Sequence, residues 1–303
     1  MARATGLSSL DGTTSSSNGA AALEYGVAGE VSLRWAVVDL TAVVEEARRR
    51  HDLSPIAAVA LGRAMAGATL LLRLSARASR RLTLTVTGDG PIGKIVAEAD
   101  SEGNLRGLVG DPQVDLPVDD RGGLRIAAAV GKGILRVRRE LLDGSSYESQ
   151  VALESGEIGL DLAHFLEQSE QTQSAVMVGV LEGPEGVRAA GGMVVEVMPG
   201  ARPDAVELLE ENLARTGGVS RTLGRGGLAE LRNGVLAGLD VEVIDRRGVR
   251  FQCSCSRDGL LATLVGLPSG DLDSIRDDSG QVEAQCSFCG ERYVYAAGEL
   301  EES

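Results

Sequence analysis

The chain has 303 residues, 43% hydrophobic and 24% charged, enough for one large core with an appendage or for two domains. Aromatic residues make up only 3%, so the core must rest on Val, Leu, Ile and Ala. A formal charge of −14 is the wrong sign for unassisted binding to nucleic acid or to an anionic membrane, since both need a cationic face.

Residues 1–23 are rich in Ser, Thr, Ala and Gly and carry one acid before position 23, Asp11. They read as a flexible terminus, and the composition also suits the remnant of an organelle transit peptide. No uninterrupted apolar run of the kind a secretory signal needs follows the N-terminus. From Glu24 the patterning is globular. "VSLRWAVVDL" reads as a strand and "TAVVEEARRR" as a short amphipathic helix. Ser54 then reads as a helix N-cap with Pro55 at the first helical position. The apolar stretch 56–74 that follows contains Arg63 and Arg73, which favours a buried helix over a membrane span.

Strand-like segments come next at 82–88, 93–100, 104–110, 124–130, 133–141 and 147–154, punctuated by Gly, Asp, Asn and Pro as hairpins require. A helix over 159–169 precedes two further apolar strands, "SAVMVGVLE" and "AAGGMVVEVMP". Residues 24–200 therefore predict an α+β domain built on a mostly antiparallel sheet. Residues 201–245 predict a helical linker, "DAVELLEENLAR" and "GGLAELRNGVLA", interrupted by the glycine-rich "TGGVSRTLGRGG" and closed by the strand "LDVEVID". Such broken helices cannot hold themselves up in water and must lean on something else or be marginally stable.

The body of this domain carries no recognisable catalytic motif, so no enzyme activity is expected. "TGDGPIG" at 87–93 lacks G-x-G-x-x-G spacing and a following helix, and reads as a turn between strands. "AAGGM" at 189–193 reads as close backbone packing or a bulge. His51 and His164, the only histidines, lie in helical segments without an acidic or cysteine motif and read as solvated or core residues.

Residues 246–303 differ in kind, because all four cysteines fall there. Cys253 and Cys255 form a C-x-C pair, and Cys286 and Cys289 form a C-x-x-C pair after thirty intervening residues. Two short-spaced pairs match a tetrahedral four-thiolate Zn²⁺ site, with Cys253, Cys255, Cys286 and Cys289 as the metal ligands. Gly290 suits the turn that aims backbone N–H groups at a thiolate. A module of about sixty residues has little stability of its own. Structural zinc contributes about 10–16 kcal/mol in small peptides, so the metal would act as a latch. Thiolates two or three residues apart can reach disulfide distance once no metal separates them. Oxidation to Cys253–Cys255 and Cys286–Cys289 disulfides would then expel the ion, and such small rings cannot replace its stabilisation. The helices at 203–237, which abut the module in the chain, would lose order next.

At this point the sequence resembles the thirty-three-kilodalton heat-shock chaperones, the redox-regulated holdases of the heat-shock protein 33 family. The resemblance runs from about residue 25 to 300. It is carried by "CSC" and "CSFC" and by the blocks "TGDGPIGKIVAEADSEGNLRG", "GEIGLDLAHFLEQSEQT" and "AAGGMVVEVMP". It implies an α+β core, a helical linker and a C-terminal redox-switch domain whose four reduced cysteines hold zinc. It further implies activation by peroxide or hypochlorous acid under unfolding conditions, with zinc release and homodimer formation. The active form would bind unfolded client proteins without ATP and pass them to ATP-dependent foldase chaperones. The family is chiefly bacterial and cytoplasmic, with some algal members in the chloroplast stroma. The linker here carries more glycine than the family's charged helical linker, which bears on the activation threshold.

Three other functions compete. A purely structural zinc would leave a constitutive binding protein. A thiol–disulfide oxidoreductase would need "CSFC" at a helix N-terminus, whereas "GERYVY" continues as a strand. A zinc-ribbon nucleic-acid module is opposed by charge, since residues 246–303 hold six arginines and no lysine against ten acids, 6 − 10 = −4.

Overall fold

The computed structural model describes residues 21–74 and 78–300. The Ser/Thr-rich start up to residue 20, and with it the transit-peptide reading, lies outside the described residues. Two sheets and a layer of helices form the body. The first strands are β1 (Ala22–Ala28) and β2 (Leu33–Asp39), followed by the helices α1 (Thr41–His51) and α2 (Pro55–Leu74). Next come β3 (Ser79–Gly88), β4 (Lys94–Asp100), β5 (Asn104–Val109), the short helix α3 (Ile126–Val130), β6 (Gly133–Leu141) and β7 (Ser146–Ala152). Helix α4 (Ile158–Glu170) leads into β8 (Ser174–Gly183) and β9 (Gly186–Val197).

Helices α5 (Pro203–Arg215) and α6 (Val219–Val235) then return the chain to β10 (Val241–Gly248) and β11 (Arg250–Phe251). The C-terminal module comprises α7 (Arg257–Val265), α8 (Ser269–Ser274), β12 (Val282–Gln285), β13 (Arg292–Tyr295) and a 3-10 turn, Ala297–Leu300. The first sheet has the order β10-β1-β2-β9-β8, the second β11-β5-β4-β3-β6-β7. All pairings are antiparallel except β11 with β5. The α+β architecture with a mostly antiparallel sheet domain is therefore as expected.

Helix α2 is the spine of this body. Ser54 caps it, its Oγ accepting from the Ala57 N–H at 3.2 Å and donating to the Val114 carbonyl at 2.7 Å. The helix is apolar nearly all round because it packs against strands of both sheets. It is long and apolar enough to cross a membrane, yet 83% of its most apolar window is buried inside the fold, which makes it a core helix.

Two expectations are corrected. Residues 124–130 are not a strand; 126–130 form α3, with Ile126, Ala129 and Val130 buried. A short apolar run cannot be assigned by period alone, and here the 87–93 turn decides. That turn donates the Gly90 and Ile92 N–H groups to the carbonyls of Val130 and Ala129, at 3.0 and 3.1 Å. The glycine-rich segment 216–227 is likewise no simple spacer, for α6 runs through most of it and kinks only at Gly227 (φ +66°). A left-handed φ at that point suits glycine alone among common residues.

The helices that could not stand alone lean on the outer face of the first sheet. Leu209, Leu223, Leu231, Val235 and Leu236 bury against Leu33, Trp35, Val37, Ala189, Met193 and Val195. Each fully buried side chain of this size contributes about 1.5–3 kcal/mol, which outweighs the roughly 1 kcal/mol cost of an interior glycine.

Candidate metal centre

Residues 252–256 leave β11 in an extended run whose exposure alternates, so Cys253 and Cys255 turn inward on one side. The Gln252 N–H bonds the Leu105 carbonyl at 2.8 Å and pins this run to β5. Ser256 then caps α7, its Oγ accepting from the Gly259 N–H at 3.1 Å. Cys286 and Cys289 sit in the tight turn between β12 and β13, closed by Gly290 N–H to Cys286 O at 2.8 Å.

All four sulfur atoms lie within 4.8 Å of one another. The nearest approaches run between the two pairs, Cys253 to Cys286 at 3.8 Å and Cys255 to Cys289 at 3.4 Å. A tetrahedral zinc with Zn–S bonds of about 2.3 Å places its sulfurs about 3.8 Å apart, so the four could hold such an ion. The thiols are unbridged, Cys289 is buried, and the other three are half-buried.

The electrostatics fit a cation. Burial opposes ionisation of Cys253, yet the Cys255 N–H and the Arg106 guanidinium bring its pKa down to about 7. Burial pushes Cys286 and Cys289 up. One thiolate is therefore accessible near neutral pH, and four together need a divalent ion to offset their repulsion.

The core domain grips this site. Arg106 of β5 donates to Cys253 Sγ at 3.5 Å and Ser254 Oγ at 3.1 Å, and stacks over the Phe288 ring at 4.2 Å. Its Nε is held by Glu98 on the adjacent strand at 2.5 Å. Arg50 Nη1 reaches the Cys289 carbonyl at 3.5 Å. His51 Nε2 lies 3.1 Å from the Phe288 carbonyl. Burial lowers the pKa of His51, partly offset by the carbonyls of Phe288 and Gly107, so the ring favours its neutral form at pH 7. His164 lies on α4, half-buried and 3.4 Å from Glu154, far from the cysteines in the chain.

Sequence reasoning missed Arg50, His51 and Arg106. The first two sit in a basic last turn that any helix favours for its dipole, which hides their second use. Gly290 has φ +73°, and a Cβ there would stand 2.9 Å from the Arg50 carbonyl. Gly290→Ala should therefore loosen both the turn and its seat on α1. We expect zinc transfer to a chromophoric chelator to quicken about tenfold, consistent with roughly 1–2 kcal/mol of strain at such a position. An unchanged transfer rate would remove Gly290 from the docking account.

The family model described as "Hsp33 protein" matches residues 23–296. The chain belongs to the Hsp33 family. A "33 kDa chaperonin" of Thermus thermophilus is 44% identical over 286 residues, covering 91% of this chain and 84% of that protein. The "33 kDa chaperonin" of Symbiobacterium thermophilum is 43% identical over 278 residues, covering 91% and 93%. The crystal structure of a 33 kDa chaperonin from Thermotoga maritima superposes with a TM-score of 0.86 at 35% identity, covering 93% of this chain and 97% of that one. The chain is thus a stress-family chaperone with a four-cysteine cluster able to hold a metal.

Proposed function

We propose that this Hsp33 is an ATP-independent holdase, silent when reduced and zinc-bound and switched on by oxidation of Cys253, Cys255, Cys286 and Cys289. The observation that carries the reading is the position of the four-thiol cluster. It ties to the core domain a module whose buried apolar cluster, among the described residues, is small: Leu264, Leu272, Val282, Tyr295 and Leu300. Zinc(II), when bound, keeps four thiols ionised and cross-links the two halves of the module.

A cavity of about 210 Å³ lined by Arg50, Cys253, Cys255, Cys289 and Tyr293 offers a peroxide a route to the sulfurs. A thiolate attacks one peroxide oxygen and hydroxide leaves, giving a sulfenic acid. The neighbouring thiolate then displaces a second hydroxide and closes a disulfide. Within the folded site either partner across the cluster is in reach. Once the module loosens, chain entropy favours the sequence neighbours, Cys253 with Cys255 and Cys286 with Cys289. Two disulfides leave no thiolate for a cation.

Loss of the module frees β11 from β5, and through it β10, the edge strand paired only to β1. Helix α6 feeds directly into β10, so α5 and α6 are the next elements to come away. This refines the expected order. The module docks on α1 and β5, while α5 and α6 lie on the outer face of the first sheet, and β10 is the link between them. Departure of α5 and α6 would uncover Trp35, Val37, Met193 and Val195, an apolar face suited to unfolded client proteins. We further propose homodimer formation in the oxidised state, hand-over of clients to ATP-dependent foldases, and the reducing cytoplasm as its place of work.

The oxidoreductase reading is disfavoured because the C-x-x-C lies in a β-hairpin turn and does not itself open a helix. The test is zinc and free-thiol quantification before and after peroxide at elevated temperature, alongside aggregation of a denatured client. Zinc release, loss of four thiols and suppressed aggregation are expected together. Oxidised, zinc-free protein that leaves aggregation untouched would sink the reading.

A further inference from the structure

The two sheets end in four strands, and three of the four edges are guarded or short. β7 carries Glu148, β10 carries Glu242, Asp245, Arg246 and Arg247, and β11 has two residues. Charged or very short edges prevent unwanted pairing. β8 differs. From Ser174 to Leu181 it reads SAVMVGVL, with no charge before Glu182.

The backbone shows what this edge offers. Val197 N–H bonds Gln173 O at 2.9 Å, and Leu40 N–H bonds Ala190 O at 2.8 Å. Odd-numbered residues of β9 therefore exchange hydrogen bonds with β8, and even-numbered ones with β2. With Ala175 opposite Val195 and Met177 opposite Met193, the N–H and C=O groups of Ser174, Val176 and Val178 point away from the sheet. Among the described residues no backbone bond to Val176 or Val178 from that side occurs.

Beyond the edge lies a groove of about 600 Å³. One wall is Gly159, Leu160 and Ala163 of α4, and the other is Leu213 and Val219 flanking the α5–α6 turn. Leu160 is 64% exposed on its rim. An added strand would continue the sheet between the same two helical layers that cover β8. Among the described residues, the charges lining the groove are Arg63 and Glu157, which pair with each other, so in a chain of net charge −14 this slot is neutral.

We propose that the β8 edge is a strand-addition site that takes a short, extended, uncharged segment of an unfolded protein. The site deepens the holdase reading and rests on it for its biological use. It supplies a foothold of about five residues, too small by itself to hold a client, so the reduced form stays silent as a holdase until opening of α5 and α6 adds the apolar sheet face. Outward amides select an extended backbone, and the neutral apolar walls select against charged segments.

The test uses a labelled octapeptide of alternating Thr and Val, and the same peptide N-methylated at every interior residue to remove the pairing amides of both edges. The reduced, zinc-loaded full chain should bind the first at least tenfold more tightly than the second. Val176→Pro removes an N–H that β9 does not use, and should weaken peptide binding about tenfold with zinc content unchanged. Val176→Thr keeps that N–H and should bind within twofold of the parent. Equal affinity for the two peptides, or no binding by the reduced parent, overturns the site even if Val176→Pro fails to fold. Dimers that form through Val176 and exclude the peptide would assign the edge to a second copy and overturn the peptide assignment. Aggregation assays on the oxidised parent read the holdase function separately, so a failure there leaves the peptide result to decide the site.

Discussion

Cys286→Ser should lower zinc affinity by about 100- to 1000-fold even under reducing conditions. A structural site worth about 10–16 kcal/mol shared by four ligands loses roughly 2.5–4 kcal/mol with one of them. The consequence is larger than the number, because the module has little else. Its apolar core is five side chains, and a domain of this size ordinarily needs a metal or disulfides to fold. Limited proteolysis should therefore cut residues 252–300 in the variant and in chelator-treated parent protein, while 21–197 stays resistant. The grip of Arg106 on Cys253 and Ser254 should vanish with the module's fold, and β11 should leave β5. Unchanged zinc stoichiometry together with unchanged protease resistance would count against the four-ligand assignment.

Leu231→Ala should produce a chaperone that needs no oxidant. Leu231 is fully buried between α6 and the first sheet, and its truncation should cost about 2–5 kcal/mol. The helix already contains a left-handed residue at Gly227 and several further glycines, so it has little stability in reserve. The candidate zinc site lies elsewhere, on the α1 and β5 side, so an ion bound there should stay. The expected result is a reduced, zinc-loaded variant that suppresses client aggregation without peroxide and is cut by protease within 203–235. Should it remain inactive although α5 and α6 have become protease-sensitive, the apolar face beneath those helices is not where clients are held.

Much of this architecture is legible locally. Ser54 followed by Pro55 marks the start of α2 because capping chemistry involves only neighbouring residues. Alternation marks β3 to β7 because side chains of a half-buried strand follow a two-residue period. The same logic fails where local signals conflict with packing. Residues 124–130 look like a strand by composition and form a helix because the distant 87–93 turn binds their carbonyls. No local pattern marks β1, because Glu24 and Gly26 interrupt it. It is a strand because β2 and β10 pair with it on both sides.

The paired spacing of the four cysteines was readable in the sequence, and the structure gathers their sulfur atoms within 4.8 Å, close enough to hold one metal ion. Their surroundings were not. Arg106 and Cys253 are 147 positions apart, and only the parallel pairing of β11 with β5 brings them into contact.

The residue order alone singled out the four cysteines as the groups suited to redox and metal chemistry, and showed that the helices before them need outside support. Both follow from short-range rules, since a thiol's chemistry and a helix's propensity travel with the residue. The three-dimensional arrangement alone decided what supports those helices, which cations clasp the cysteine cluster, and which strand edge is left open. Those depend on surfaces built from segments a hundred or more residues apart, where burial of apolar area and pairing of backbone groups outweigh local preference.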